Sequence, residues 1–334
     1  MNNHANFRGV VSEIVETQAP PRLGRRALLA VLLAVVVFAG LGLASDLRSL
    51  GRSLASFHWP ALGSALSLVL GNYVLRFLRW QYYLRVLKVA VPARLSGLVF
   101  LSGFVMSVTP GKMGEVFKSV LLHEYRGISI ARTASIVVAE RLLDLVALVV
   151  LVSLGSTAFP HGRAVAALGA LAVSAIVLVC VVHPIGHFLL DRLAGFRLTA
   201  NITPKLRESY AALNTLTLPR PFLLGGLLAV LGWALECVAT WVLAGGFGAS
   251  IPFSGATFAY ATGTLAGALA MLPGGLGVAE VGMSGLFRAA SPGLSLAGAS
   301  ALTILVRLST LWFGVALGGL ALVALRASER KQED

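Results

Sequence analysis

The stretch "SVTPGKMGEVFKSVLL", residues 107–122, interrupts an apolar segment at Pro-Gly and follows the interruption with charged residues. A second stretch, "AMLPGGLGVAEVGMSGLF", residues 270–287, repeats the device, with Pro273 placed 163 residues after Pro110. Either these are spanning helices that fail or they are tips of re-entrant hairpins, and the fold turns on which. Composition fixes their solvent. The 334 residues are 57% hydrophobic and 12% charged, with a mean hydropathy of +0.84, whereas a soluble domain carries roughly 25% charge. Ala27 to Ala44, Ala61 to Leu75, Ala164 to Val182, Pro221 to Leu235 and Ala297 to Val306 contain no charged residue, and most extend to the roughly 20 residues a spanning helix needs. Backbone polar groups facing lipid must be satisfied within their own segment, so helices have to carry the fold.

The chain is basic, with a net charge of +13 and a pI near 10.7. The Lys and Arg cluster just outside particular apolar segments, as cytoplasmic loops of a membrane protein require, and no basic stripe interleaved with aromatics is present; nucleic acid is excluded as a partner. Cys180 and Cys237 both fall in apolar runs, which argues against a disulfide framework or a thiolate metal site. His183 and His187 flank Pro184 without a carboxylate or cysteine at metal spacing, so no metal is expected, nor any cofactor. Walker A, GxSxG and HExxH patterns are missing, which removes the commonest routes to ATP-driven transport or hydrolysis, and the chain is not expected to be an enzyme.

Charge counting then orders the segments. With the N-terminus in the cytoplasm, residues 1–26 form a leader whose first 20 residues read as disordered, and 27–44 crosses outward. "GLGLAS" near Ala44 resembles a signal-peptidase site, but the long leader and full-length run favour a retained anchor. Residues 61–80 return, ending in Arg76, Arg79, Arg85 and Lys88. Leu95 to Thr109 is too short to cross: 15 residues make about 22 Å of helix against a core of about 30 Å. Residues 95–124 are therefore expected to dip in from the cytoplasm and leave on the same side. Residues 133–155 cross outward and 164–183 return. The connector 184–220 is cytoplasmic, with an amphipathic helix beginning near "IGHFLLDRLAGF". Residues 221–244 cross outward, 253–289 form a second hairpin from outside, with 253–272 also long enough to span, and 297–325 returns to the cytoplasmic tail 326–334. Of the 27 Lys and Arg, this leaves Arg48, Arg52 and Arg163 in outer loops, Arg288 in the outer hairpin, Arg141 and Arg307 in the membrane, and 21 in the cytoplasm. The expected fold is an all-α integral membrane protein, a polytopic bundle of about 6 spanning helices plus two Pro-Gly-broken re-entrant hairpins, or about 8 membrane segments.

The offsets between landmarks are nearly constant. Asn72 and Glu236 are 164 apart, Pro110 and Pro273 163, Glu115 and Glu280 165, Arg141 and Arg307 166. Two related halves, about 61–155 and 221–325 within one domain 27–325, follow. In the topology above they run in opposite directions, the inverted repeat that places a transporter's site at broken helices near the midplane. Each break ends one helix and begins another, presenting free N–H groups and a positive dipole end inside the membrane. Lys112, Gly111 and Gly114 at the first break, and Gly274, Gly275 and Gly277 at the second, suit close approach of an anion. Arg141 and Arg307 add guanidinium groups fitted to phosphate, although Arg307 equally suits a structural ion pair with Glu236, Glu140 or Asp144. Glu140 and Asp144 share one helix face. With Glu236 and the first-turn Glu115 and Glu280 they form the candidate polar cavity or coupling set, simple N-terminal capping being the other reading of Glu115 and Glu280. Arg76 and Arg79 read as interfacial residues that snorkel to the inner leaflet and meet a headgroup there. Gly263 with Gly267, and Gly314 with Gly318, read as close helix packing.

"RFLRWQYYLRVL" (76–87), "TPGKMGEVFKSVLL" (109–122), "ERLLDLVALVVL" (140–151) and "LPGGLGVAEVGMSGLF" (272–287) resemble, in this order and spacing, the motif blocks of the lysylphosphatidylglycerol synthase transmembrane-region family. The resemblance covers roughly residues 25–325. It implies a multi-pass protein of a bacterial or archaeal plasma membrane, a lipid flippase that moves a lipid or lipid-linked headgroup between leaflets. The bifunctional relatives carry a soluble aminoacyltransferase domain after the membrane part; this chain, ending at Asp334 without one, is expected not to make aminoacyl lipid. Lys112 stands where the family often has Arg. Membrane lipids are the expected partners, with a lipid-modifying synthase or glycosyltransferase as a further one. The rival readings are a membrane transferase using Glu140 or Asp144 as general base, and an accessory subunit of a lipid-modifying enzyme.

Overall fold

A computed structural model describes residue 40 and residues 46–109, 113–181 and 203–333. The expected leader, the 27–44 helix, Pro110, Gly111, Lys112, His183, His187 and the amphipathic stretch starting at Ile185 lie outside the described residues.

The described chain is helical throughout, in the order α1 (Leu47–Ala55), α2 (Pro60–Val86), α3 (Ala93–Ser102), α4 (Phe117–Arg126), α5 (Ile130–Gly155), α6 (Gly162–Val181), α7 (Thr203–Leu216), α8 (Pro219–Gly246), α9 (Phe253–Leu269), α10 (Val278–Ala290), α11 (Leu296–Arg307) and α12 (Phe313–Glu333). Local chemistry sets the ends. Pro60 and Pro219 sit at the first turns of α2 and α8, where their missing N–H has no helical partner to lose. Ser129 and Ser295 cap α5 and α11 by accepting from the backbone N–H of Arg132 and Gly298. Gly127, at φ 64, closes α4 in the left-handed conformation. Five π-helical residues, Leu308–Trp312, join α11 to α12.

This is an all-α membrane protein. Pro60–Val86, Pro219–Gly246 and Leu296–Ser328 are long and apolar enough to cross a bilayer. α5, at 26 residues, is nearly as long as the first two but carries Glu140, Arg141 and Asp144. Burial is reversed relative to a soluble protein: Leu171 is 71% exposed while Arg79, Lys118 and Glu140 are each 1% exposed. Such a surface is stable only where lipid replaces water.

One element order occurs twice. A long helix (α2, α8) leads to a shorter one (α3, α9), a break, a second short helix (α4, α10) and another long helix (α5, α11–α12). α2 and α8 pack most extensively on each other. Contacts define two ends. At one, the His58 N–H donates to Gly246 O, Phe57 meets Phe247, and Phe159 meets Phe258. At the other, Arg132 donates to Leu87 O, Tyr83 to Pro221 O and Ser209 to Ala131 O. α12 packs on α3 through the expected small residues: a β-carbon at Gly318 would stand 2.7 Å from Val105 N and 2.8 Å from Leu101 O.

Backbone cannot yield as a flexible side chain does, so Gly318→Ala should destabilise the protein by about 1–3 kcal/mol. Gly319 has nothing within 4 Å of the same position, and Gly319→Ala should be neutral or stabilising by up to about 1 kcal/mol. Thermal unfolding of the two variants in one detergent separates packing from propensity.

Candidate functional site: a charged cavity where the two breaks meet

The segments on either side of the breaks are short and close together. α3 continues as a 3-10 turn, Gly103–Val108, and a second 3-10 turn, Met113–Val116, leads into α4. Between α9 and α10 the chain turns through Gly274, Gly275 and Gly277 at φ 61, 69 and 90, conformations that a side chain would strain. Gly275 lies against Gly267, and Gly263 against Ala279 and Met283, as their small size predicts. A β-carbon on Gly274 would stand 3.7 Å from Val108 Cα, so the second turn lies near the segment that leads into the first break.

The repeat landmarks become contacts. Asn72 donates a hydrogen bond to Glu236 across the α2–α8 interface. Arg141 Nη2 lies 3.2 Å from Glu115 Oε2, and Arg307 Nε donates to Glu280 Oε1 at 2.6 Å. In each half, then, a glutamate just after the break pairs with an arginine on the following long helix. Glu280 also caps its own helix, its Oε2 accepting the Gly277 N–H at 2.6 Å, so the capping and pairing readings both hold. Arg307 finds Glu280, not Glu236, Glu140 or Asp144, and donates a second bond to Gly274 O.

The first half carries more charge. Lys118 Nζ contacts Glu140 Oε2 at 2.8 Å, with Glu115 at 3.8 Å, and stands 4.6 Å over the Trp80 ring. Arg79 Nη2 contacts Asp144 Oδ1 at 2.8 Å, with Glu140 at 4.0 Å. Arg141 reaches Asp144 at 2.9 Å. Arg76 lies 3.6 Å from Glu115 and 5.0 Å over Phe104. The expectation that Arg76 and Arg79 snorkel outward is therefore corrected. Both turn inward, Arg79 to full burial against Glu140 and Asp144 of α5 and Arg76 toward Glu115 after the first break, because a buried carboxylate needs a cation.

A cavity of about 450 Å³ lies between the halves, within the roughly 300–1,000 Å³ of small-molecule sites. Arg76, Arg141, Asp144, Glu236 and Arg307 reach its wall, together with Ser107 and Thr109 before the first break and Gly274 and Gly275 at the second. Glu140, Glu115 and Lys118 stand behind these residues. Tyr73, Trp233 and Tyr260 also line the cavity, and Tyr260 donates to Glu236. Sequence reasoning passed over these three rings, which look like ordinary members of apolar helices. The available signal was a tyrosine among the small residues of "GATFAYATGTLAG" (255–267). At the rim, Val138, Ile176, Leu269, Met271 and Leu272 line the cavity and are exposed on the outer surface. Gly277 lies beside the second break and is not among the residues lining the cavity, and Lys112 and Gly111 are outside the described residues.

Lys118 and Glu140 give a direct test of the network. At the same offsets the second half has Met283 and Val306, both fully buried. Lys118→Met alone removes the closest cation from Glu140 and should lower stability by about 3–5 kcal/mol. Lys118→Met with Glu140→Val copies the second half and should recover most of that loss, measured as the unfolding midpoint in detergent.

A family model described as "Lysylphosphatidylglycerol synthase TM region" matches residues 29–318. A protein of Methanothermobacter thermautotrophicus named "UPF0104 membrane protein" is 26% identical over 294 residues, covering 80% of this chain and 84% of the relative. With its four motif blocks now on the α2–α5 and α9–α10 walls of one cavity, the chain belongs to the lysylphosphatidylglycerol synthase transmembrane-region family.

Proposed function

We propose that the protein moves a phosphate-bearing lipid headgroup between the two leaflets of the membrane through this cavity. The observation that carries the reading is the pairing of a charged floor with an apolar rim. Arg76, Arg141 and Arg307 stand inside, and Ile176, Leu269, Met271 and Leu272 mark an opening on the lipid-facing surface. A headgroup entering sideways leaves its acyl chains in hydrocarbon, and guanidinium groups suit its phosphate.

The direction of the chain supports the same reading. α3 begins, and α4 ends, near the end of the bundle marked by Leu87 and Ala131, while α9 begins and α10 ends near the opposite end, marked by Gly246. We read these as two re-entrant hairpins descending from opposite faces, an inverted repeat whose tips meet at the cavity. Arg85, Lys88, Arg126, Arg132 and Arg220 gather at the first of these ends. By the positive-inside rule it faces the cytoplasm, with both termini, in a bacterial or archaeal plasma membrane. A synthase or glycosyltransferase that makes the lipid would be its functional partner.

Proteoliposomes containing fluorescent phosphatidylglycerol test the proposal. Leaflet exchange should exceed that of protein-free vesicles, and the lipid should be recovered chemically unchanged. Arg141→Gln and Arg307→Gln should each slow exchange by about tenfold or more, since a charged hydrogen bond is worth about 1.5–3 kcal/mol and 1.4 kcal/mol is tenfold. Unaltered exchange in both folded variants would remove the anion site, and chemically altered lipid would favour the transferase.

A further inference from the structure

α1 lies apart from this site, against α11 at the Gly246 end. It is a firmly placed helix. Asp46 caps it, accepting from Arg48 N, Ser49 N and Ser49 Oγ at 3.4, 3.3 and 2.9 Å. The turn that follows is tied down by the His58–Gly246 bond and by Phe57, buried against Phe247. Leu50 and Leu54 are half-buried. Two strips face outward. One is apolar, Leu47, Gly51 and Ala55, four residues apart; beside it Arg48 and Arg52 share the next. Leu47 is 58% exposed, and Trp59, at the start of α2, 54%. Arg52 Nη2 donates to Ser49 Oγ at 3.0 Å, and among the described residues neither Arg48 nor Arg52 forms an ion pair.

We propose that α1 is an interfacial helix whose apolar strip rests in the bilayer while Arg48 and Arg52 bind the phosphates of anionic phospholipids in the leaflet at this end. Three observations agree on the occupant. Leu47 and Trp59, both exposed in the segment at this end, are residue types suited to the depth at which acyl chains meet headgroups. Trp241 and Phe253, also exposed and in edge-to-face contact at 6.0 Å, lie near the same end, five residues before and seven residues after Gly246. Two arginines one turn apart, with their nearby carboxylate committed to the helix cap, supply charge complementary to phosphate. The partner is thus a lipid surface on the face opposite the basic end, and the inference stands whether or not the cavity transports lipid.

The full chain in nanodiscs tests it. Leu47→Cys, in a Cys180→Ser and Cys237→Ala background, carries a bimane label, and quenching by brominated phosphatidylcholine is compared with quenching by aqueous iodide. The expected result is severalfold stronger quenching by the brominated lipid, increased further when phosphatidylglycerol is added. Arg48→Gln with Arg52→Gln should abolish that increase and leave the brominated lipid dominant, since the apolar strip is intact. Dominant iodide quenching would put α1 in water and overturn the proposal. So would an increase with phosphatidylglycerol that survives the double substitution.

Discussion

A charge placed among hydrocarbon must meet an opposite charge or leave the membrane, and the interior of this protein is organised around that constraint. Lys118, on α4, and Arg79, on α2, reach the same segment of α5, where Glu140 and Asp144 lie one turn apart. Three helices are thereby held in one register, because sliding any of them would separate an ion from its partner. Replacing such a network with apolar residues can preserve stability, whereas removing one member exposes another to the full desolvation penalty. The contribution of these pairs is to specify an arrangement; the apolar contacts around Trp80, Tyr83 and Phe100, all fully buried, hold it.

The second half solves the same problem with fewer charges. Its glutamate and arginine, Glu280 and Arg307, match Glu115 and Arg141, but Leu243, Met283 and Val306 stand where the first half has Arg79, Lys118 and Glu140. In place of the network there is close backbone approach, Gly263 and Gly267 of α9 against α10 and the Gly275 turn. The two helix pairs α3–α4 and α9–α10 are therefore alike in element order and unequal in constraint. Moving the first breaks several buried ion pairs, while moving the second breaks one and slides small residues over each other. Under the leaflet-exchange reading, the second hairpin is the part with less to lose by changing place.

Much of this was legible in the chain. Segment lengths placed the helices, Pro-Gly pairs placed both breaks, and the offsets of 163–166 residues picked out Asn72, Glu115, Glu236, Glu280, Arg141 and Arg307, every one of which contacts another of the set. What was not legible depended on direction. Arg76 and Arg79 close an apolar run and are followed by Arg85 and Lys88, so position alone made them interfacial; only carboxylates distant in sequence, Glu115 for Arg76 and Asp144, 65 residues on, for Arg79, turn them inward. Lys118 looked like one more cytoplasmic charge for the same reason. Tyr260 stood out only as a polar ring among small residues, and its partner, Glu236, sits on another helix 24 residues away. The π-helical residues "LSTLW" carry no breaker, and nothing in their composition separates them from the α-helix on either side.

Under the proposed function, the glutamates neutralise the arginines that would receive a phosphate. Glu115 and Glu280 occupy Arg141 and Arg307 as an anion would, at 3.2 and 2.6 Å. A phosphate that engages Arg307 must displace a carboxylate, and that carboxylate also holds the Gly277 N–H at the start of α10. Occupancy of the site and the shape of the second turn are thus linked through one side chain. Arg307 strengthens the link, since its other bond goes to Gly274 O within the same turn. A ligand drawing the guanidinium toward the cavity loosens both ends of a turn built from three glycines at positive φ, where the backbone resists change least. In the first half Glu115 is shared among Arg76, Lys118 and Arg141, so displacing it from one cation leaves it held by two others. Under the leaflet-exchange reading, the same exchange of anions would therefore move α9 and α10 and leave α3 and α4 in place.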